Sequence, residues 1–244
     1  MAISPRAKKQ TKKQMQKQAK KHITSKQIIS IYYKLYKRFG PQHWWPVTGP
    51  KKRSEYEIIV GALLTQNTAW LNVERAIKNL VSSNLLDPKN LIAAPPEKVK
   101  QLIRPAGYYN QKYDRLILIT KWYLKNKKRI KNIPTPVLRR TLLSLKGIGP
   151  ETADSILLYA FGRPVFVVDA YTKRMLSRSR IIPEKAEDAD YHDVQSLFHE
   201  CYKNLPALQK AWIFREYHAL IVELGKRHCK KQPLCEGCPI LSSI

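Results

Sequence analysis

No stretch of this 244-residue chain approaches the ~20 consecutive apolar residues that a bilayer-spanning helix requires. The N-terminus also lacks the apolar core of a secretory signal. Both absences lead away from membranes and export and toward a cytoplasmic, nucleoid-associated protein. Cysteine is sparse: there are four, three of them crowded near the C-terminus. That usage suits a reducing compartment and a metal site better than a disulfide framework. Strict two-residue alternation is almost wholly missing, which excludes a sheet protein and predicts an all-α fold. Residues Val165–Val168 form the one β-like run, and four residues fit a buried connector as well as a strand.

Acidic residues are scarce too. Eighteen Asp and Glu stand against 45 Lys and Arg, for a formal net charge of +27, and the first acid is Glu55. Residues 1–26 hold nine of the cations and read as a basic, disordered tail over 1–24. The excess persists beyond that tail, in a chain whose 43% hydrophobic content can build a real core. A folded body of this charge points to nucleic acid, because neutralising phosphates releases counterions. Charge alone leaves DNA and RNA equally open.

Helical spacing is present in place of alternation. Ile28, Ile29, Tyr32, Leu35 and Tyr36 recur on one face and stop at Gly40-Pro41, followed by a Trp-, Pro- and Lys-rich loop at 42–54. Further helices are expected near 54–66, 70–82, 96–103, 109–127, 136–145, 150–162, 170–180, 189–204 and 208–226, with Pro95-Pro96 capping a short connection. Tyr108-Tyr109-Asn110-Gln111-Lys112 reads as a helix start after the Ala106-Gly107 turn.

The most informative segment is Leu145-Lys146-Gly147-Ile148-Gly149-Pro150. Glycines at both ends of a three-residue turn permit positive φ and a close backbone approach. Pro150 suits the first turn of the following helix, where a missing N–H is harmless. The remaining N–H groups at that start make a seat for a phosphate, and Lys146 adds a charge-assisted contact. Thr152, Ala153 and Ile156 give the small and apolar positions that let two helices pack closely. An isolated Asp169 follows the apolar connector, placed to cap the helix that begins at Ala170.

Together these residues resemble the helix-hairpin-helix, Gly/Pro-rich link and aspartate of the endonuclease III superfamily of DNA glycosylases, over roughly residues 44–240. The resemblance implies two helical domains flanking a DNA-binding cleft. One would span 47–163 and carry the hairpin; the other would combine 25–46 with 164–244 and end in a cysteine loop. It implies a catalytic role for Asp169, whose carboxylate would activate a nucleophile or stabilise positive charge on the sugar as the base departs. Lys146, Gly147, Ile148 and Gly149 would hold DNA.

Glycosylase/lyases of the family carry a lysine just before the hairpin Thr, and its amine attacks the sugar. Here that position is Glu151, which forms no imine, so the resemblance favours a monofunctional enzyme using water. Lys146 and Lys173 are offset from the lysine position. As a residue, Glu151 reads equally as a first-turn acid complementing the helix dipole.

His43-Trp44-Trp45-Pro46 and Leu64-Thr65-Gln66-Asn67-Thr68-Ala69-Trp70 resemble the pocket segments of helix-hairpin-helix 3-methyladenine DNA glycosylases. That likeness makes Trp44, Trp45, Pro46 and Trp70 candidates to sandwich an electron-poor alkylated purine. Gln66 matches the residue that fills the gap left by the flipped nucleotide. Ordinary aromatic packing is the competing reading.

Cys229-x5-Cys235-x2-Cys238 resembles the superfamily's iron–sulfur loop, which implies a [4Fe–4S] cluster. The first gap is one residue short, and Ile244 takes the place expected for a fourth cysteine, so the fourth ligand is not evident. Cys201 completes the set only if the fold brings it there; zinc on three thiols with His228 or Cys201, and no metal at all, stay open.

The resulting expectation is a monomeric base-excision-repair enzyme hydrolysing the N-glycosidic bond of a damaged base, an alkylated purine, in duplex DNA. A bifunctional glycosylase/AP lyase, a non-catalytic DNA-binding module and an RNA-binding protein are the alternatives.

Overall fold

Proline and aspartate set where most of the helices begin. The computed structural model describes residues 25–45, 55–183 and 185–241. It groups them into two units, Trp44–Val167 with Ala207–Arg215, and the chain up to His43 with Val168–Pro206 and everything from Glu216 onward. The basic segment 1–24, Pro46 and Ile244 lie outside the described residues.

In the first unit, α2 (Glu55–Leu64) is buried along most of its length, with Ile59, Val60, Leu63 and Leu64 fully excluded from solvent. Each such side chain contributes roughly 1.5–3 kcal/mol by leaving water. Around α2 pack α3 (Trp70–Ser82), α6 (Tyr109–Asn126) and α8 (Pro150–Ser155), which continues as a π-helical turn at Ile156–Ala160. α4 (Pro88–Ala93) starts at Asp87, whose carboxylate accepts from the Lys89 and Asn90 N–H groups. α5 (Pro96–Ile103), α7 (Thr135–Leu143) and α8 each carry Pro in the first two positions, where its fixed φ fits a helix.

One buried amine joins two of these elements. Lys112, on α6, is 1% exposed, and its Nζ donates to the carbonyls of Leu64 (2.8 Å) and Ala106 (2.7 Å). It ties the end of α2 to the 3₁₀ turn at Arg104–Ala106. Burial, helped by the nearby Arg115 charge, pulls this amine down from its ordinary value to about 8.

The second unit contains α1 at 25–39, α9 (Ala170–Arg178), α10 (Tyr191–Cys201) and the part of α11 (Ala207–Arg227) that follows Arg215. Tyr217 is its centre: the ring meets Tyr32 and Phe198 edge-on, and the hydroxyl donates to the Ile28 carbonyl at 2.6 Å.

All regular structure among the described residues is helical, as the missing alternation requires. Val165–Val168 is a buried connector rather than a strand. α4 was not expected, because six residues are too few for a period to show. The stretch expected as one helix at 150–162 changes from α to π winding after Ser155. No described helix is long and apolar enough to cross a membrane.

Candidate active site and nucleic-acid interface

The hairpin is held at its base by a partly buried ion pair. Arg139 on α7 grips Asp154 on α8 with two hydrogen bonds, 2.7 and 2.9 Å, and the Asp154 side chain is fully buried. The turn above it exposes Lys146, Gly147 and Gly149 while Ile148 points inward at 5% exposure. Gly147 has φ +85°, a conformation that glycine adopts without strain. A Cβ at Gly149 would meet nothing within 4 Å, so the backbone there faces open space.

Gln66 lies directly on this turn. Its Nε2 donates to the Gly147 carbonyl and to Thr152 Oγ1, both at 3.0 Å, and its Oε1 accepts from the Arg115 guanidinium at 2.6 Å. Since arginine has no acceptor, the oxygen of the Gln66 amide must face Arg115, and the direction of the whole network follows. Arg115 was not singled out from sequence, because 49 residues separate it from Gln66.

Three of the four candidate pocket residues form one aromatic cluster within the first unit. Trp45 sits 6.0 Å from Trp44 and 5.4 Å from Trp70, centroid to centroid, and Tyr159 joins both Trp44 (6.2 Å) and Trp45 (5.0 Å). Trp45 is 5% exposed, pressed against Gly61, where a Cβ would come within 3.3 Å of the indole. Trp44 and Trp70 are only partly covered. Tyr159 was missed because a single tyrosine on an apolar helix carries no local signal.

Asp169 caps α9. Its Oδ1 accepts from the Thr172 N–H (2.7 Å) and from the Thr172 hydroxyl (2.9 Å). Its Oδ2 faces His218 Nε2 on α11 at 3.5 Å, and both side chains are largely buried, 12% and 7% exposed. Burial opposes ionisation here, but the His218 imidazole and the two Thr172 hydrogen bonds outweigh it. They hold the carboxyl below its ordinary value. Glu151 is exposed in the first turn of α8, the place where an acid complements the helix dipole.

The C-terminal cysteines are organised by arginine. Arg178 donates to Cys229 Sγ (3.3 Å) and to the carbonyls of Lys230 and Lys231, while Arg174 donates to the Cys229 carbonyl. Burial raises the Cys238 thiol, and the neighbouring Cys229 and Cys235 raise it further, so the three loop thiols share one locality. Cys201 points elsewhere: its thiol donates to the Ser25 carbonyl. Among the described residues no group of three or more His, Cys, Asp or Glu is arranged to hold a metal ion. With four cysteines in the sequence and one of them engaged on α1, the donors do not fit a four-cysteine cluster.

A helical hairpin with an exposed glycine turn, an aromatic cluster and a buried carboxylate at a helix start are found together in a class of DNA-repair proteins, and the comparisons place the chain in that class. Residues 60–202 match the family model described as "HhH-GPD superfamily base excision DNA repair protein", and the chain belongs to that family of DNA glycosylases. A protein of Methanocaldococcus jannaschii named "Putative DNA repair glycosylase MJ1434" is 48% identical over 87% of this chain and 93% of its own length. The endonuclease III of Thermotoga maritima is 29% identical over 86% of this chain and 89% of its own. Among solved structures, the 3-methyladenine DNA glycosylase of H. pylori bound to 1,N6-ethenoadenine aligns with TM-score 0.66 and 30% identity, covering 85% of this chain and 97% of that one. A non-covalent endonuclease III–DNA complex aligns with TM-score 0.72 at 24% identity, over 89% of this chain and 94% of that one, a likeness of fold.

Proposed function

We propose that this chain is a monofunctional DNA glycosylase that hydrolyses the N-glycosidic bond of an alkylated purine in duplex DNA. The observation that carries the reading is Asp169. One of its oxygens is spent on the helix cap, and the carboxyl is held in the charged form despite burial. A fixed anion in a desolvated place stabilises an oxocarbenium-like sugar as the bond to the base breaks. The bonding pair leaves with the base, water adds at the anomeric carbon, and the water's spare proton is released.

The hairpin turn with Lys146, Gly147, Ile148 and Gly149 would seat the DNA backbone. Trp44, Trp45 and Trp70, with Tyr159 behind them, would stack on the extruded base, and a positively charged alkylated purine gains most from such faces. The likeness to a glycosylase solved with an ethenoadenine supports this substrate class. Glu151 in the position of the lyase lysine supports hydrolysis over imine chemistry. Gln66, docked on the turn in the free protein, would enter the gap in the stack once DNA is bound.

The test uses duplexes carrying single lesions, resolved on gels with and without alkali. Base release that yields strand breaks only after alkali is expected for alkylated purines. Efficient cleavage before alkali would make the enzyme a lyase, and no release from any lesion would make it a binding module.

A further inference from the structure

Asp169 must be an anion to stabilise a cationic sugar, yet it lies where burial favours the neutral acid. Its Oδ1 is fully engaged by Thr172, which leaves Oδ2 as the oxygen available for chemistry. The side chain facing that oxygen is His218, 5% exposed, reaching across from α11 with Nε2 3.5 Å away. The separation is slightly longer than a good hydrogen bond, close enough for an electrostatic hold that leaves Oδ2 unsaturated.

The geometry points to His218 as a positioning residue that keeps Asp169 ionised and aims its Oδ2. This rests on the glycosylase reading of Asp169 given above. On α9, Thr172 meets the carboxylate through its N–H and hydroxyl. From α10, the Tyr191 hydroxyl accepts from the Val168 N–H, while Asp190 at the start of that helix accepts from the His192 and Asp193 N–H groups. Lys173 turns away to the Ala189 carbonyl.

The position is specific in a second way. His218 is followed along α11 by Leu220, Ile221 and Leu224, all fully buried, so the imidazole is carried by a helix locked into the core. A side chain on such a helix holds its distance to Asp169 in a way that a loop residue would not.

The consequence is a shifted acid limb in the pH–rate profile. In His218→Leu the burial remains and its counterweight is gone, so single-turnover base release should lose its acid limb roughly one to two pH units higher than wild type. At about pH 5 that is a rate loss on the order of tenfold or more, with a smaller loss at about pH 8 and little change in DNA affinity. His218→Gln, which keeps a neutral donor of similar reach, should return the limb part of the way.

A readout independent of activity is the titration of the Asp169 carboxyl carbon by NMR, whose midpoint should rise in both variants and most in His218→Leu. If His218→Leu does not fold, the same comparison is made between wild type and His218→Gln. An unchanged Asp169 midpoint and an unchanged acid limb would overturn the inference. Full activity in Asp169→Asn would overturn the glycosylase reading, and the NMR titration would still decide the role of His218.

Discussion

Arg115 occupies the space that a side chain at position 147 would need: a Cβ on Gly147 would fall 2.3 Å from the arginine Nε. The same guanidinium binds Gln66 Oε1, and the Gln66 amide returns to the Gly147 carbonyl, so three residues close a ring around the hairpin turn. Gly147→Ala meets two obstacles, a φ of +85° and the displacement of Arg115. Together they should cost about 2–4 kcal/mol of stability and weaken DNA binding at least roughly tenfold. Gly149 has φ −88° and empty space around it. Gly149→Ala should therefore melt within a few degrees of wild type while still losing affinity, since only the approach of a phosphate is blocked. Thermal melts and DNA titrations separate the two, and equal melting temperatures for both variants would contradict the Arg115 account.

The aromatic cluster divides into a wall and a face. Trp45 is buried against Gly61, so Trp45→Ala opens a cavity and should destabilise the protein by about 3–5 kcal/mol. Trp44 is partly covered and should behave differently. Trp44→Ala should leave the melting temperature nearly unchanged and reduce lesion binding by about 1–3 kcal/mol, the usual worth of one base–aromatic stack. Binding of undamaged duplex is the control. An equal loss on damaged and undamaged DNA would remove Trp44 from the pocket.

Much of this fold was legible in the sequence because its signals are local. Pro96, Pro150 and Asp169 mark helix starts within one turn of where they act. Apolar spacing places α3 and α6 to within a residue. The parts that stayed hidden are contacts between distant residues. Arg115 reaches Gln66, Tyr159 reaches Trp44 and Trp45, and His218 reaches Asp169 across 49 residues of chain, with no spacing rule to announce them. The cysteine loop is a case where spacing leaves the question open. Its spacing suggests a cluster, but the arrangement of thiols depends on where Cys201 lands, and Cys201 lands on the Ser25 carbonyl.

Lys112 gives the stability a distinct pH dependence. In the folded chain this amine releases its proton at about 8, whereas the unfolded chain holds it to the ordinary 10.5. Between those values the unfolded state binds more protons, so the Lys112 contribution makes stability rise with pH across that window. Below it the full cost of burying a charge is present. Lys112→Met should flatten this segment of the curve. It should also cost about 2–3 kcal/mol overall, because the Leu64 and Ala106 carbonyls lose their donor. Denaturant midpoints of wild type and variant compared between pH 7 and 10.5 test it, and parallel curves would refute the assignment.

The cysteine loop should keep its place without metal, because Arg174 and Arg178 hold its backbone. Protein purified without oxygen is expected to be colourless and to contain far less iron than the four atoms of a cubane cluster. Arg178→Ala, which removes the contacts to Cys229, Lys230 and Lys231, should expose the loop to proteolysis. A brown protein with four irons per chain would show that the loop recruits a ligand other than Cys201.

The proposed chemistry turns on Asp169 and Glu151. Asp169→Asn preserves shape and the helix cap but removes the negative charge, so base release should fall by roughly two to four orders of magnitude while DNA binding persists. Binding should even tighten slightly, because a desolvated carboxylate near DNA repels phosphate. The cap matters to this comparison. Asn accepts from the Thr172 N–H as well as Asp does, so a loss of activity without a loss of melting temperature isolates the charge. Glu151→Lys places an amine in the first turn of α8, the position used by the lyases of this family. If that amine reaches the sugar, borohydride should trap a covalent complex with abasic DNA that wild type does not form. Full activity in Asp169→Asn would remove the carboxylate from the mechanism, and a borohydride-trapped complex in wild type would show that another lysine already performs the attack.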